Sequence, residues 1–314
     1  MSATDWPPVA VVGAGAVGCY FGGMLARAGA PVTLIGRPRH TDAIAAQGLL
    51  LDTLQFQERV AVGAATELAA AREAGLVLFC VKTVDTETAS EALRPHLAAG
   101  ATVISLQNGV DNVERMRRAA GIQAIPAVVY VAAAMAGPGH VRHSGRGDLI
   151  LGGAENFADL FQRAGVPCRV SATIHQDLWV KMILNCAYNA ISALTRARYG
   201  RMIQTPSIRD LMDRAVEEAV AVGRAEGVAL TEAAMIQAAH NLGEAMSGAT
   251  SSTAQDIERA KPTEIDSLNG YLVRSGERQG IPTPINRTLW ALIKLLEETA
   301  VESAAPQVDC WAGC

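Results

Sequence analysis

Two groups of residues have the types and the spacing to do chemistry. The first is Gly13-Ala14-Gly15-Ala16-Val17-Gly18, which follows the apolar run Val9 to Val12 and opens an Ala-, Leu- and Met-rich stretch reaching Ala28. In a chain with 29 glycines the bare spacing says little, since a plain tight turn would use it too. Its place between a strand and a helix carries the argument. Gly13 permits the turn, Gly15 lets the backbone approach a pyrophosphate, Gly18 lets helix and strand pack closely, and the first-turn N–H groups face the anion. All six residues are therefore expected to bind a dinucleotide.

The second group is Lys181, Asn185 and Asn189, at i, i+4 and i+8 of a helical stretch from Asp177 to Arg196. They fall within about 80° of one face and span about 12 Å of axis, so one ammonium and two amides share a stripe. On a surface helix such a stripe is a solvated face. Here Ile183, Leu184, Cys186, Ala187, Tyr188, Ile191 and Ala193 occupy much of the rest. A helix this apolar is expected to be buried, with its polar stripe turned to a cleft.

Five further positions attach to these groups. An NAD-type site wants a carboxylate about 20 residues past the glycines, whereas this chain has Gly36 and Arg37 there, followed by Arg39 and His40. Arg37 offers the fork that a 2'-phosphate prefers, which favours NADP(H) over a reading of solvated loop charges. Lys82 and Asn108 follow the apolar runs Leu76 to Val81 and Thr102 to Leu106, where open α/β sheets bind ligands. An exposed loop lysine and an Asn-Gly turn are the alternatives. Ser252 opens Ser252-Thr253-Ala254-Gln255, which reads as a capping box, and Glu264 follows Pro262 and Thr263 at the expected start of a helix over Thr263 to Gln279. There the helix dipole would keep the carboxylate ionised, as it does for many first-turn glutamates with no other task.

The elements that must position these residues change character along the chain. Strand candidates at Val9 to Val12, Val32 to Ile35, Leu76 to Val81 and Thr102 to Leu106 alternate with helical stretches, including Asp85 to Ala98, which implies a doubly wound parallel sheet. Between Ala127 and Leu151 three β-branched runs, broken at Gly137-Pro138-Gly139 and Gly145-Arg146-Gly147, predict antiparallel strands added at one edge. After Ser171 the texture is helical: Asp177 to Arg196, Ser207 to Glu226, Thr231 to Met246, Thr263 to Gln279 and Thr288 to Glu302. The expected architecture is a Rossmann-type α/β domain over residues 1–171 and an all-α domain over 172–314.

Composition excludes several classes. Lys plus Arg at 27 against Asp plus Glu at 31 leaves a net charge of −4, which gives no field for gripping nucleic acid. The six cysteines form no C-x-x-C pair, so no metal site is expected. Cys19, Cys80, Cys168 and Cys186 read as small buried hydrophobes, and the tail pair Cys310/Cys314 as incidental. No apolar run reaches the length of a membrane span and the first eight residues lack a basic leader pattern, which places the expectation in the cytoplasm. The helix surfaces carry no clear dimer signal, and a homodimer stays open.

With these residues in hand, the chain resembles the ketopantoate reductases (2-dehydropantoate 2-reductases). The resemblance rests on Gly13 to Gly18, Val81-Lys82, Gln107-Asn108-Gly109, Lys181-x3-Asn185-x3-Asn189, and Ser251-Ser252 through Gln255-Asp256 to Thr263-Glu264-Ile265-Asp266, in the family's order across about residues 9 to 300. The glycine motif and Lys-x3-Asn also occur in related hydroxyacid dehydrogenases; the segment from Ser251 to Asp266 is more specific.

The resemblance implies an NADPH-binding Rossmann domain, an all-helical second domain, and reduction of a 2-keto acid in the cleft between them, serving pantothenate synthesis if the substrate is the family's usual one. It assigns Lys181 as catalytic general acid, Glu264 as its partner carboxylate, and Asn185, Asn189 and Ser252 as substrate-binding, with Lys82 and Asn108 on the cofactor side. The chemistry is consistent: hydride arriving at a keto carbon leaves an alkoxide, which an ammonium can stabilise and protonate. One position departs from the pattern, because Tyr199 stands where some members have a substrate-contacting asparagine. That keeps open a reductase of another keto acid on the same scaffold. A non-catalytic NADP(H)-sensing regulator is the rival from another class, and the joint presence of Lys181, Ser252 and Glu264 argues against it.

Overall fold

In the structure, a computed structural model that describes residues 6–304, contacts divide the chain into two units with the boundary between Leu178 and Trp179. Cys310 and Cys314 lie outside the described residues. The first unit contains β1 (Val9–Val12), α1 (Ala16–Arg27), β2 (Val32–Ile35), α2 (Pro38–Gln47), β3 (Leu49–Asp52), β4 (Gln57–Val60) and β5 (Gly63–Ala65). It continues through β6 (Leu76–Phe79), α3 (Thr86–Leu93), β7 (Thr102–Ser105), α4 (Asn112–Ala120), β8 (Ala124–Gly137), β9 (His140–Leu151), α5 (Glu155–Arg163) and β10 (Cys168–Val170).

The strands form one sheet in the order β4-β3-β9-β8-β7-β6-β1-β2-β5, with β10 beside β9. From β8 to β5 every pair is parallel, with Val9 opposite both Val32 and Leu76. All four residues of β1 and of β6 are buried. That burial explains their unbroken apolar runs, since a parallel strand is covered on both faces. The carboxyl ends of β1, β2, β6 and β7 therefore deliver Gly13, Gly36, Cys80 and Leu106 to one end of the sheet, where such sheets bind ligands.

The antiparallel part departs from expectation in one respect. Two long strands, β8 and β9, stand where three were expected, and only Gly137 to Gly139 acts as a turn. At Gly145-Arg146-Gly147 pairing continues: Tyr130 faces Asp148 and Val131 faces Arg146, so Gly147 is the extra residue of a bulge. The positive φ of Arg146 (55°) and Gly147 (125°) absorbs it without ending the strand.

The second unit is helical. Its elements are α6 (Ile174–Thr195, which begins in the first unit), α7 (Tyr199–Gln204), α8 (Pro206–Ala225), α9 (Glu232–Ala245), α10 (Ser252–Glu258), α11 (Asn269–Gln279) and α12 (Pro284–Ala304). Trp179, Tyr188, Met212, Val216, Leu272 and Ile293 are buried in it. A buried polar chain fixes four of the helices. Asn269 Nδ2 donates to the Cys186 carbonyl at 3.3 Å and to Asn286 Oδ1 at 2.9 Å, and Asn286 Nδ2 donates to the Ala215 carbonyl at 3.1 Å. The Glu218 carboxylate then accepts the N–H groups of Ile285 and Asn286 at the start of α12. Among the described residues no helix is long and apolar enough to cross a membrane.

The single helix expected over Thr263 to Gln279 is not formed. A three-residue 3₁₀ turn at Ile265–Ser267 is followed by Leu268 at φ −110°, ψ −104°, and α11 begins at Asn269. The side chains described below hold this segment in place of a continuous helix.

Candidate active site

The glycine loop shows three different reasons for three glycines. At Gly13, with φ +107°, a Cβ would lie 2.7 Å from the Cys80 carbonyl carbon, and at Gly18 it would lie 2.2 Å from the Gly13 oxygen. Gly15, the N-cap of α1, has open space where its Cβ would stand, and no side chain caps the helix. The crowded positions are demanded by the fold. The open one leaves room for a ligand against the unpaired first-turn N–H groups, which fits a pyrophosphate. Gly36 is a position that the motif reading passed over: its Cβ would meet that of Ala14 at 2.6 Å, so the end of β2 can lie against the loop only without a side chain. Arg37 follows as the N-cap residue of α2, with an exposed side chain.

Lys82 and Asn108 stand on adjacent loops. Lys82 is exposed at the start of a 3₁₀ turn over Thr83–Asp85, and Asn108 is partly buried after β7. The Asn108 carbonyl accepts from Asn112 Nδ2 at 2.6 Å and from Thr83 Oγ1 at 3.3 Å, so the residue following Lys82 is bonded directly to Asn108.

In the second unit α6 carries the polar stripe as expected, in a modified form. From Lys181 to Ala193 only Lys181, Leu184 and Asn185 escape burial, while Asn189 is 2% exposed. The stripe opens at its first two polar residues and closes at the third. Burial pushes the Cys186 thiol far up, which makes it inert packing rather than a nucleophile.

Two anchors bring the other candidate segments to this helix. Ser251 Oγ donates to the Asn189 carbonyl at 3.1 Å, and the Ser251 N–H meets Ser192 Oγ at 3.3 Å. Ser251 Oγ also accepts the Ala254 N–H at 3.0 Å, so Ser251, and not Ser252, is the N-cap of α10. The capping reading of Ser252 is thereby corrected: it is the first residue of α10, exposed, with its hydroxyl released from that task. On the other side Asn269 bonds to Cys186, next to Asn185.

Glu264 lies between that anchor and a second one. The Thr263 N–H donates to Glu297 Oε1 at 2.7 Å, and the Asp266 carboxylate accepts from Trp290 Nε1 at 2.7 Å and Lys294 Nζ at 3.0 Å. Glu264 is partly buried before a turn too short to supply a helix dipole, so the first-turn account of its charge does not hold. Its position comes from its neighbours. Ser251, Gly36 and Asp266 are thus positioning residues that pattern reading missed, and only the serine pair carried a signal. Tyr199 is buried at the start of α7 with its ring 4.3 Å from that of Tyr188. Burial raises its phenol to about 12, so it stays neutral. Among the described residues no group of three His, Cys, Asp or Glu side chains could hold a metal ion.

The family model described as "Ketopantoate reductase PanE/ApbA" matches residues 9–156, and "Ketopantoate reductase PanE/ApbA C terminal" matches residues 173–297. The 2-dehydropantoate 2-reductase of Halobacterium salinarum is 32% identical, covering 92% of this chain and 98% of its own. The crystal structure of a PanE/ApbA family ketopantoate reductase from Ralstonia eutropha is 50% identical, with a TM-score of 0.89 over 94% of this chain and 99% of that one. D-mandelate dehydrogenase, solved with NADH and anilino(oxo)acetate, shares the fold at 23% identity and a TM-score of 0.86, over 94% of this chain and 99% of its own. By both halves of its length, this chain belongs to the ketopantoate reductase family of oxidoreductases.

Proposed function

We propose that this protein reduces a 2-keto acid with NADPH, ketopantoate to pantoate in the first instance. Gly13 to Gly18 would cradle the pyrophosphate, Arg37 the 2'-phosphate, and Lys82 and Asn108 the nicotinamide side. When bound, the reduced nicotinamide supplies a hydride to the keto carbon. Lys181 gives its proton to the carbonyl oxygen as that oxygen gains charge, leaving a 2-hydroxy acid. Glu264 holds the Lys181 ammonium in place, while Asn185, Asn189 and Ser252 orient the substrate carboxylate and any hydroxyl it bears. The observation that carries the reading is the double anchoring of α6, by Ser251 beside Asn189 and by Asn269 beside Asn185, which gathers the segments bearing Ser252 and Glu264 onto the helix that bears Lys181.

Tyr199 favours a second reading within the same chemistry. A buried aromatic ring where some relatives carry an amide fits a keto acid with a more apolar end than ketopantoate. NADPH and NADH oxidation against a panel of keto acids that includes ketopantoate tests both. Fastest turnover of ketopantoate with NADPH supports the first reading, and a better apolar substrate supports the second. NADPH binding without turnover of any keto acid overturns both in favour of a sensor. Equal use of NADH and NADPH removes the role given to Arg37.

A further inference from the structure

The loops that carry Lys82 and Asn108 are joined by a buried polar network for which the reaction itself has no use. At its centre is Gln107, 5% exposed. Its Oε1 accepts from Ser105 Oγ at 2.9 Å, which turns Nε2 toward two further partners: the Val81 carbonyl at 3.2 Å and Thr86 Oγ1 at 2.8 Å. Thr86 Oγ1 in turn donates to the Thr83 carbonyl at 2.8 Å. That carbonyl also accepts from Arg115 at 2.9 Å, and Arg115 is paired with Glu87 at 2.6 Å. The residues on both sides of Lys82 are therefore tied to the loop bearing Asn108: Val81 through Gln107, and Thr83 through its own hydroxyl. The loop bearing Lys82 also touches the glycine turn, because a Cβ on Gly13 would stand 2.8 Å from the Val81 nitrogen.

Such a network is held to one geometry because each buried partner lost leaves another unsatisfied. Ser105, Thr83, Thr86 and Asn112 are all buried, whereas Lys82 is exposed and Asn108 partly so. We propose that Gln107 is a positioning residue that fixes the spacing of Lys82 and Asn108, and through them the grip on the nicotinamide half of the dinucleotide. The proposal rests on the dinucleotide reading above. It assigns Gln107 no contact with the cofactor.

Binding of two probes to the full-length protein separates this role from a general one: NADPH, and 2',5'-ADP, which carries the adenine half and its phosphate alone. Gln107→Met keeps length and loses every hydrogen bond. It is expected to weaken NADPH about tenfold and to leave 2',5'-ADP within twofold. In a protein already carrying Lys82→Ala and Asn108→Ala, the same change should no longer alter NADPH affinity, because the groups it acts through are gone. If Gln107→Met does not fold, Thr83→Val takes its place, deleting only the hydroxyl on the Asn108 carbonyl, with a loss of about threefold expected for NADPH alone. Equal losses for both probes, no loss for either, or a loss that persists in the double variant overturns the proposal. Failure of the unaltered protein to bind either probe overturns the dinucleotide reading as well.

Discussion

The hydroxyl of Ser251 donates to the main-chain carbonyl of Asn189 while accepting the Ala254 N–H, so one side chain both caps α10 and fastens it to α6. Two adjacent serines thereby have separable tasks. Ser251→Ala removes both the cap and the tether to the Asn189 carbonyl, and should lower stability by about 2 kcal/mol. Ser252→Ala, at an exposed first-turn position, should leave the melting temperature nearly unchanged and raise the KM for the keto acid with cofactor affinity retained. Thermal melts and steady-state kinetics on the two variants check this. A drop in stability in Ser252→Ala without a kinetic change would reverse the assignment.

The glycine loop permits a similar separation of fold from ligand. A methyl at Gly18 would press on the Gly13 oxygen, which is backbone and cannot move aside, so Gly18→Ala should cost at least about 2 kcal/mol of stability. A methyl at Gly15 meets nothing and the backbone there is extended, so Gly15→Ala should fold normally. Its methyl would instead occupy the space left for the pyrophosphate and weaken NADPH by about tenfold or more. Melting and titration of both variants decide it; normal NADPH binding by Gly15→Ala would place the pyrophosphate elsewhere.

What the sequence made legible, and what it hid, follows the range of the interactions. The unit from β1 through α1 to β2 is readable because its signals are local: a buried apolar run, a turn that only glycine fits, and a helix behind it. The stretch from 263 to 279 is not, because apolar periodicity continues through it while the actual constraints come from far along the chain. Asp266 is engaged by Trp290 and Lys294, and Asn269 by Cys186 and Asn286. The short strands β3, β4 and β5 were also invisible, since β4 exposes three of its four residues and shows no buried pattern. At the candidate site the choice of Ser251 over Ser252 as the cap was hidden, because it depends on which hydroxyl meets the Asn189 carbonyl.

Asp266 gives the fold a pH-dependent contribution. Burial pushes its carboxyl up, yet the hydrogen bonds from Trp290 and Lys294 outweigh it and hold the group below the usual aspartate range. A carboxyl depressed in the folded state contributes stability above its unfolded pKa of about 4, and that contribution is lost as pH falls through the folded value. Asp266→Asn should therefore lower the melting temperature at pH 7 and have little effect at about pH 2. The side chain is half-exposed, so the difference should stay below about 1 kcal/mol. A melting difference that is the same at both pH values would show that the ion pair contributes nothing.

In the proposed mechanism Lys181 carries the heaviest burden, being the one ammonium on a stripe otherwise made of amides. It stands on α6 next to buried Trp179, Met182 and Ile183, with Asn185 one turn further along and the Ser251 and Asn269 anchors fastening two other segments to the same helix. Under that mechanism Lys181→Ala would remove the proton donor and the charge that stabilises the alkoxide. General acid catalysis is worth about 10²- to 10⁴-fold, so kcat should fall at least a hundredfold. Cofactor binding should survive, because Gly13 to Gly18 and Arg37 belong to the other unit. Lys181→Arg keeps a positive charge but holds its proton too tightly to donate it, and should recover little of the lost rate. NADPH titration together with single-turnover reduction of the best keto acid in the panel would measure both effects. A folded Lys181→Ala protein that binds NADPH and turns over within threefold of the original rate would show that the proton comes from another group.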